Sequence, residues 1–266
     1  MTQTDNTELV QYECIDRVAM IRLNRPDKLN AFLDESVRQL VDVMARFDSD
    51  PDADVAVLSG NGRAFSSGAD VQQRQLRKRE EFEKLGGPEG KGARSIDVYT
   101  RSVNWKPVVS APHGYAIGMG MHMVFNAELV VAEEGTKFQV TETGRGLGAS
   151  HYLALLNFRG GGSFAVEVAL TGRFFTAEEA FEAKILNRVA PKGKHLDVAF
   201  DLAKQIASNP PLSVRSTVRS RRWYLEQVLN EAHFQSAPYR LHLTDDFQES
   251  ARAFIEKRRP GPFKGR

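Results

Sequence analysis

The chain has 266 residues, 41% hydrophobic and 26% charged, which is enough to bury a sizeable core in one large domain, with or without a helical appendage. Lys and Arg number 36 against 34 Asp and Glu, so the formal charge of +2 gives no broad field for nucleic acid or an anionic membrane. The single cysteine, Cys14, excludes an intramolecular disulfide framework and a multi-cysteine zinc site, and a reducing compartment fits best. The N-terminus shows no cationic patch followed by an apolar run, and no stretch reaches the ~18 apolar residues of a membrane span, so the chain reads as cytoplasmic.

In chain order, Val18-Ala-Met-Ile-Arg-Leu23 is the first predicted strand, closed by the turn cluster Asn24-Arg25-Pro26-Asp27. Val37, Leu40, Val41, Met44 and Phe47 then recur at helical spacing, with Asp34 expected as the N-cap. Val55-Ala-Val-Leu-Ser59 is the next strand, and Pro107-Val-Val-Ser-Ala111 and Glu128-Leu-Val-Val-Ala132 flank a segment Gly118–Asn126 in the same manner. Repeated β/α units in a layered α/β architecture follow from this order. Between Gln72 and Arg94 charge and glycine dominate, predicting a mobile loop. Beyond Ser163 the pattern is mostly helical, with a capping box at Thr176-Ala-Glu-Glu179 and an apolar stripe of Phe247, Ala251, Phe254 and Ile255 on a last helix.

Two glycine-rich turns carry the chemical signal: Ala64-Phe65-Ser66-Ser67-Gly68-Ala69-Asp70 and Gly114-Tyr115-Ala116-Ile117-Gly118-Met119-Gly120. Each comes after a short strand and could present backbone N–H groups to one oxyanion, although either alone reads first as an ordinary turn before a helix. No phosphate-loop lysine motif is present, and Gly118-Met-Gly-Met-His122 lacks the third glycine and the later acidic partner of a dinucleotide fingerprint.

These turns, with Leu23-Asn-Arg-Pro-Asp-Lys-Leu-Asn-Ala31 upstream and Phe254-Ile-Glu-Lys-Arg-Arg259 at the tail, resemble the crotonase superfamily of enoyl-CoA hydratases and isomerases over the whole chain. The resemblance implies an α/β crotonase (ClpP/crotonase-like) fold of repeated ββα units. It divides the chain into a core with the acyl-CoA site at 1–195 and a C-terminal helical trimerisation region at 196–266. It implies an acyl-CoA substrate, with coenzyme A entering as part of that substrate and no permanently bound cofactor or metal. A homotrimer or homohexamer is implied, and no nucleic-acid or membrane partner.

By the same resemblance the N–H groups of Ala69 and Met119 hold the thioester oxygen, and Glu142 is the general acid/base. Arg25, Lys28, Ser67, Ala69, Phe254 and Lys257 lie along coenzyme A, the last pair reaching an adjacent subunit. The chain departs from the family in three places. Met119 replaces the usual central glycine, and His122 stands where hydratases carry a first glutamate, as either a catalytic imidazole or a hydrogen-bonded pocket residue. Thr143-Gly-Arg-Gly-Leu-Gly-Ala-Ser-His151 replaces a proline-glycine-rich loop that lines the acyl pocket. Arg145 and His151 there are either partners for a polar or carboxylated acyl group, or a surface charge and a helix-start residue. The implied activity is enoyl-CoA hydration or isomerisation; the alternatives are a lyase, decarboxylase or hydrolase of the same fold, or a non-catalytic acyl-CoA- or RNA-binding homologue.

Overall fold

A computed structural model of the protein describes residues 8–85, 87, 95 and 97–266. In chain order the strands are β1 (Val10–Ile15), β2 (Val18–Leu23), β3 (Val55–Gly60), β4 (Val108–Ser110), β5 (Tyr115–Ile117), β6 (Leu129–Glu133), β7 (Lys137–Gln139), β8 (Phe174–Thr176) and β9 (Arg188–Ala190). The helices are α1 (Asp34–Ser49), α2 (Val71–Arg74), α3 (Arg79–Leu85), α4 (Asp97–Thr100), α5 (Met119–Asn126), α6 (Ser150–Phe158), α7 (Gly162–Thr171), α8 (Ala177–Glu182), α9 (His195–Ala207), α10 (Pro211–Ser236) and α11 (Asp245–Ile255).

A six-stranded sheet runs β1-β2-β3-β4-β6-β9, parallel throughout except for the β1 edge, and a second sheet runs β5-β7-β8. In β4–β5–α5 and again in β6–β7–α6, the first strand joins the large sheet and the second the small one. This is the repeated ββα unit that the resemblance implies. The sequence reading omitted β1, which is tied to β2 by a hairpin whose Asp16 and Arg17 both take positive φ.

Strand alternation splits the large sheet into two apolar faces. Ala19, Ile21, Ala56, Leu58 and Val130 face the main core with α1 and α5, whereas Val18, Met20, Val55, Val57 and Val131 face Ala199, Leu202 and Ala203 of α9. Cover on both sides explains why β3 reads as a continuous apolar run.

Three expectations are corrected. Asp34 is the first residue of α1 rather than its N-cap; the cap is Leu33, whose N–H donates to the Ser36 hydroxyl, and Asp34 pairs with Arg77 at 2.6 Å. Within Gln72–Arg94 the described part is largely helical, because Phe82 of α3 is buried edge-on against Phe247; residues 86 and 88–94 lie outside the described residues. The α11 stripe is divided, with Phe247 and Ala251 in the core of this same chain and Phe254 and Ile255 half exposed. The Thr176 capping box is present, although β8 and β9 interrupt the helical C-terminal half. Among the described residues no helix is long and apolar enough to cross a membrane.

Behind the sheets, Glu128 accepts from Arg221 at 3.2 Å, Arg222 at 3.0 Å and the Val108 N–H at 2.9 Å, joining α10 to β4. Burial pushes its carboxyl up, but Arg222 and Arg221 outweigh that and hold it below the ordinary carboxylate range. Glu128→Ala would leave two buried cations uncompensated and should cost about 3–5 kcal/mol, a fall of roughly 10 °C in a thermal melt followed by circular dichroism. Because the folded pKa is depressed, this stabilisation is complete above the unfolded value of about 4.3 and is lost as pH falls through the folded one. An unchanged melting temperature would remove the pair from the account of stability.

Candidate active site

The two glycine turns are brought together by backbone pairing. Ser66 and Ala116 form a parallel bridge in which the Ser66 N–H donates to Tyr115 O and the Ile117 N–H donates to Ser66 O, each at 3.0 Å. Phe32 bridges Ala69 in the same way, through Phe32 N–H to Gly68 O at 2.8 Å and Asp70 N–H to Phe32 O at 2.9 Å. In a parallel ladder such bonds engage the residues on either side of the bridged one, so the N–H of Ala69 points away from Phe32. Among the described residues no acceptor takes the N–H of Ala69 or of Met119.

Glycine is required at two positions here. At Gly68, φ is +93° and an added Cβ would lie 2.7 Å from Ile117 O and 3.7 Å from Met119 N, which measures how closely the turns approach. At Gly118, φ is +48° and an added Cβ would meet Thr141 Oγ1 at 2.8 Å and Glu142 Oε1 at 3.5 Å. Met119 is the first residue of α5, so its N–H lies at the positive end of the helix dipole.

A cleft of about 650 Å³ opens over both donors, and Ala69, Met119 and Glu142 line it together. Burial pushes the Glu142 carboxyl above its ordinary value, opposed by hydrogen bonds from the Tyr152 hydroxyl and from Thr141. Arg25, Lys28, Ser67 and Phe254 also line the cleft, but Lys257 does not. Arg25 is committed to Asp70 at 2.8 Å and Ala31 O at 3.2 Å, whereas Lys28 is exposed. Phe254 reaches the cleft of its own chain, where the Arg145 guanidinium stacks on its ring at 3.8 Å. Among the described residues no three His, Cys, Asp or Glu side chains converge on a metal position.

His122 is not brought into the cleft. It is 4% exposed, its Nε2 is 2.9 Å from Asn126 Nδ2, and its ring lies 5.2 Å from that of His151 and 5.8 Å from that of Tyr152. Desolvation and the neighbouring His151 lower its pKa to about 3. Tyr152 touches His122 and lines the cleft, holding Glu142 with its hydroxyl, and sequence reasoning missed it. Its signal was its position on the helix after the departing loop, two residues beyond the start of α6. His151 lies beside His122 rather than with Arg145.

The neutral state of His122 has a spectroscopic consequence. In long-range proton–nitrogen spectra its ring resonances should show one neutral tautomer without titration from about pH 5 to 8. A midpoint within that window would contradict the burial described.

Comparison with known proteins agrees with this architecture. Residues 13–266 match the family model described as enoyl-CoA hydratase/isomerase. The mevalonyl-coenzyme A hydratase sidH of Aspergillus fumigatus is 31% identical over 249 residues, covering 91% of this chain and 90% of that protein. The (E)-benzylidenesuccinyl-CoA hydratase of Thauera aromatica is 31% identical over 265 residues, covering 96% and 99%. Among solved structures, an enoyl-CoA hydratase/isomerase from Pseudoalteromonas atlantica T6c superposes with a TM-score of 0.79 at 27% identity, covering 96% of this chain and 100% of that one. With its ββα units, paired glycine turns and C-terminal helices, the chain belongs to the enoyl-CoA hydratase/isomerase family and has the crotonase fold.

Proposed function

We propose that the protein moves a proton at the α-carbon of an enoyl-CoA thioester, producing hydration or a shift of the double bond. The observation that carries this reading is the convergence of two open backbone N–H groups and one desolvated carboxyl, its pKa raised by burial, on a single cleft. As the α-carbon gains or loses its proton, negative charge moves onto the thioester oxygen. The N–H groups of Ala69 and Met119 stabilise that charge without reorganising, because their turns are pinned by the bridges to Phe32 and Ala116. Glu142 carries the proton, and the Tyr152 hydroxyl positions its carboxylate.

His122, neutral and outside the cleft, supplies packing in this account rather than a second acid/base group. One carboxylate suffices for a double-bond shift, since the same base can take a proton from one carbon and return it to another. Hydration is supported by relatives that are CoA hydratases and requires water to be oriented by Glu142 with Tyr152. Coenzyme A would lie along Lys28, Arg25 and Ser67, with Phe254 closing the cleft from the same chain and Lys257 left to a neighbour. A homotrimer or homohexamer would form through α10, where Trp223 and Phe234 are exposed on one face roughly three turns apart.

Incubation with 2-enoyl- and 3-enoyl-CoA substrates, read by mass spectrometry and chromatography, tests the reaction through a gain of water or a positional isomer. Glu142→Gln should reduce turnover by about 10²–10⁴-fold with acyl-CoA binding largely retained; full activity in that variant would overturn the mechanism. Because Glu142 must be ionised to act as a base and its pKa is raised, activity should fall on the acid side at a pH above about 4.3. Tyr152→Phe removes a bond that favours the ionised carboxylate, so it should move that limb to higher pH while a thermal melt changes little. An unmoved limb would take Tyr152 out of the proton path.

A further inference from the structure

Arg145 is a charged side chain of the cleft without a task in this mechanism. It stands three residues after Glu142 on the 3-10 turn Thr143–Arg145, and it lines the cleft beside Leu147 and Tyr152. Its guanidinium carbon lies over the Phe254 ring, 3.8 Å from the ring centroid. Burial pushes its pKa down, with the nearby charge of Glu142 acting in opposition.

The other cations along the cleft are differently disposed. Arg25 donates to Asp70, Arg74 stands 3.8 Å from Asp34 and 3.5 Å from Met119 Sδ, and Lys28 is in solvent. No carboxylate or carbonyl among the described residues accepts from the Arg145 guanidinium. The cation–π contact with the ring uses none of the in-plane N–H donors as hydrogen bonds to a protein oxygen, and they stay open to a ligand. A half-buried cation with open donors can receive an anion that displaces the water around it. A planar carboxylate is the matching partner, because it accepts two parallel N–H bonds in the plane of the guanidinium.

The position of Arg145 selects between the two anionic parts that an acyl-CoA can bring. It lies in the electrostatic range of Glu142, the group that addresses the reacting carbons, whereas Lys28 is the solvent-exposed cation suited to phosphate. We infer that Arg145 is an acyl-specificity residue that binds a second carboxylate on the substrate. The substrate class is then an enoyl-CoA whose acyl chain carries a carboxylate a few carbons from the double bond. The inference rests on reading the cleft as an acyl-CoA site. The charge of Arg145 would also offset repulsion between the incoming carboxylate and Glu142, allowing both to share a small desolvated space.

Calorimetry with two unreactive thioesters of equal chain length, glutaryl-CoA and valeryl-CoA, tests the inference without requiring turnover. The native protein should bind glutaryl-CoA roughly ten- to hundredfold more tightly. Arg145→Gln should erase the preference, and Arg145→Lys should restore part of it, with folding of both checked by thermal melts. Equal affinities in the native protein would overturn the inference. So would an Arg145→Gln variant that weakens both thioesters equally, since that would assign the arginine to the coenzyme A phosphates. Failure of both thioesters to bind would instead overturn the acyl-CoA reading itself, and the inference with it.

Discussion

The bridge between Ser66 and Ala116 is the constraint on which the site depends. It joins a turn that follows the large sheet to the first strand of the small sheet, through two backbone hydrogen bonds of 3.0 Å. Backbones can come this close only because Gly68 and Gly118 carry no side chain where Ile117 O and Thr141 Oγ1 stand. The two N–H donors are therefore positioned by main-chain geometry, and the Met119 side chain can vary without removing its own N–H. Loop flexibility would cost such donors their advantage, since an oxyanion site works by being oriented before charge develops.

Helix α5 connects this front of the molecule to its stabilising rear. Its N-terminus supplies Met119, and its C-terminal carbonyls accept from two arginines: Arg159 donates to Phe125 O and Ala127 O, and Arg221 to Asn126 O and Ala127 O. Cations at that end complement the helix dipole while satisfying carbonyls that the helix leaves open. Arg221 shares Glu128 with Arg222, so the helix that begins at Met119 is anchored to α10 through a buried ionic group. The stability of the rear and the geometry of the front are thus linked by one short helix.

Electrostatics divide the site into groups with separate roles. Desolvation raises the pKa of Glu142 and lowers that of His122, so burial favours the neutral form of both groups and leaves the imidazole uncharged. The His122 imidazole, neutral at this buried position, meets Asn126 at one nitrogen and packs against Tyr152. Tyr152 then reaches Glu142 from α6, while Asp70 in the same cleft is held by Arg25.

Much of the frame was legible because its signals are local. The apolar run of β2, the helical spacing of α1, the Thr176 capping box and both glycine turns each express short-range rules of backbone conformation and periodicity. The chain order of these pieces, with the quoted motifs, was sufficient for the fold. Long-range packing decided the rest. Phe82 orders α3 only because Phe247 arrives from α11, and Phe254 closes the cleft of its own chain only because the Arg145 turn stands beneath it. His122 illustrates the boundary most sharply: its spacing from Met119 places both on one helix, but whether its ring enters the cleft depends on His151 and Tyr152 packed against it from α6. Motif spacing determines which residues share a turn or a helix, whereas side-chain direction, desolvation and pKa arise only when distant elements surround them.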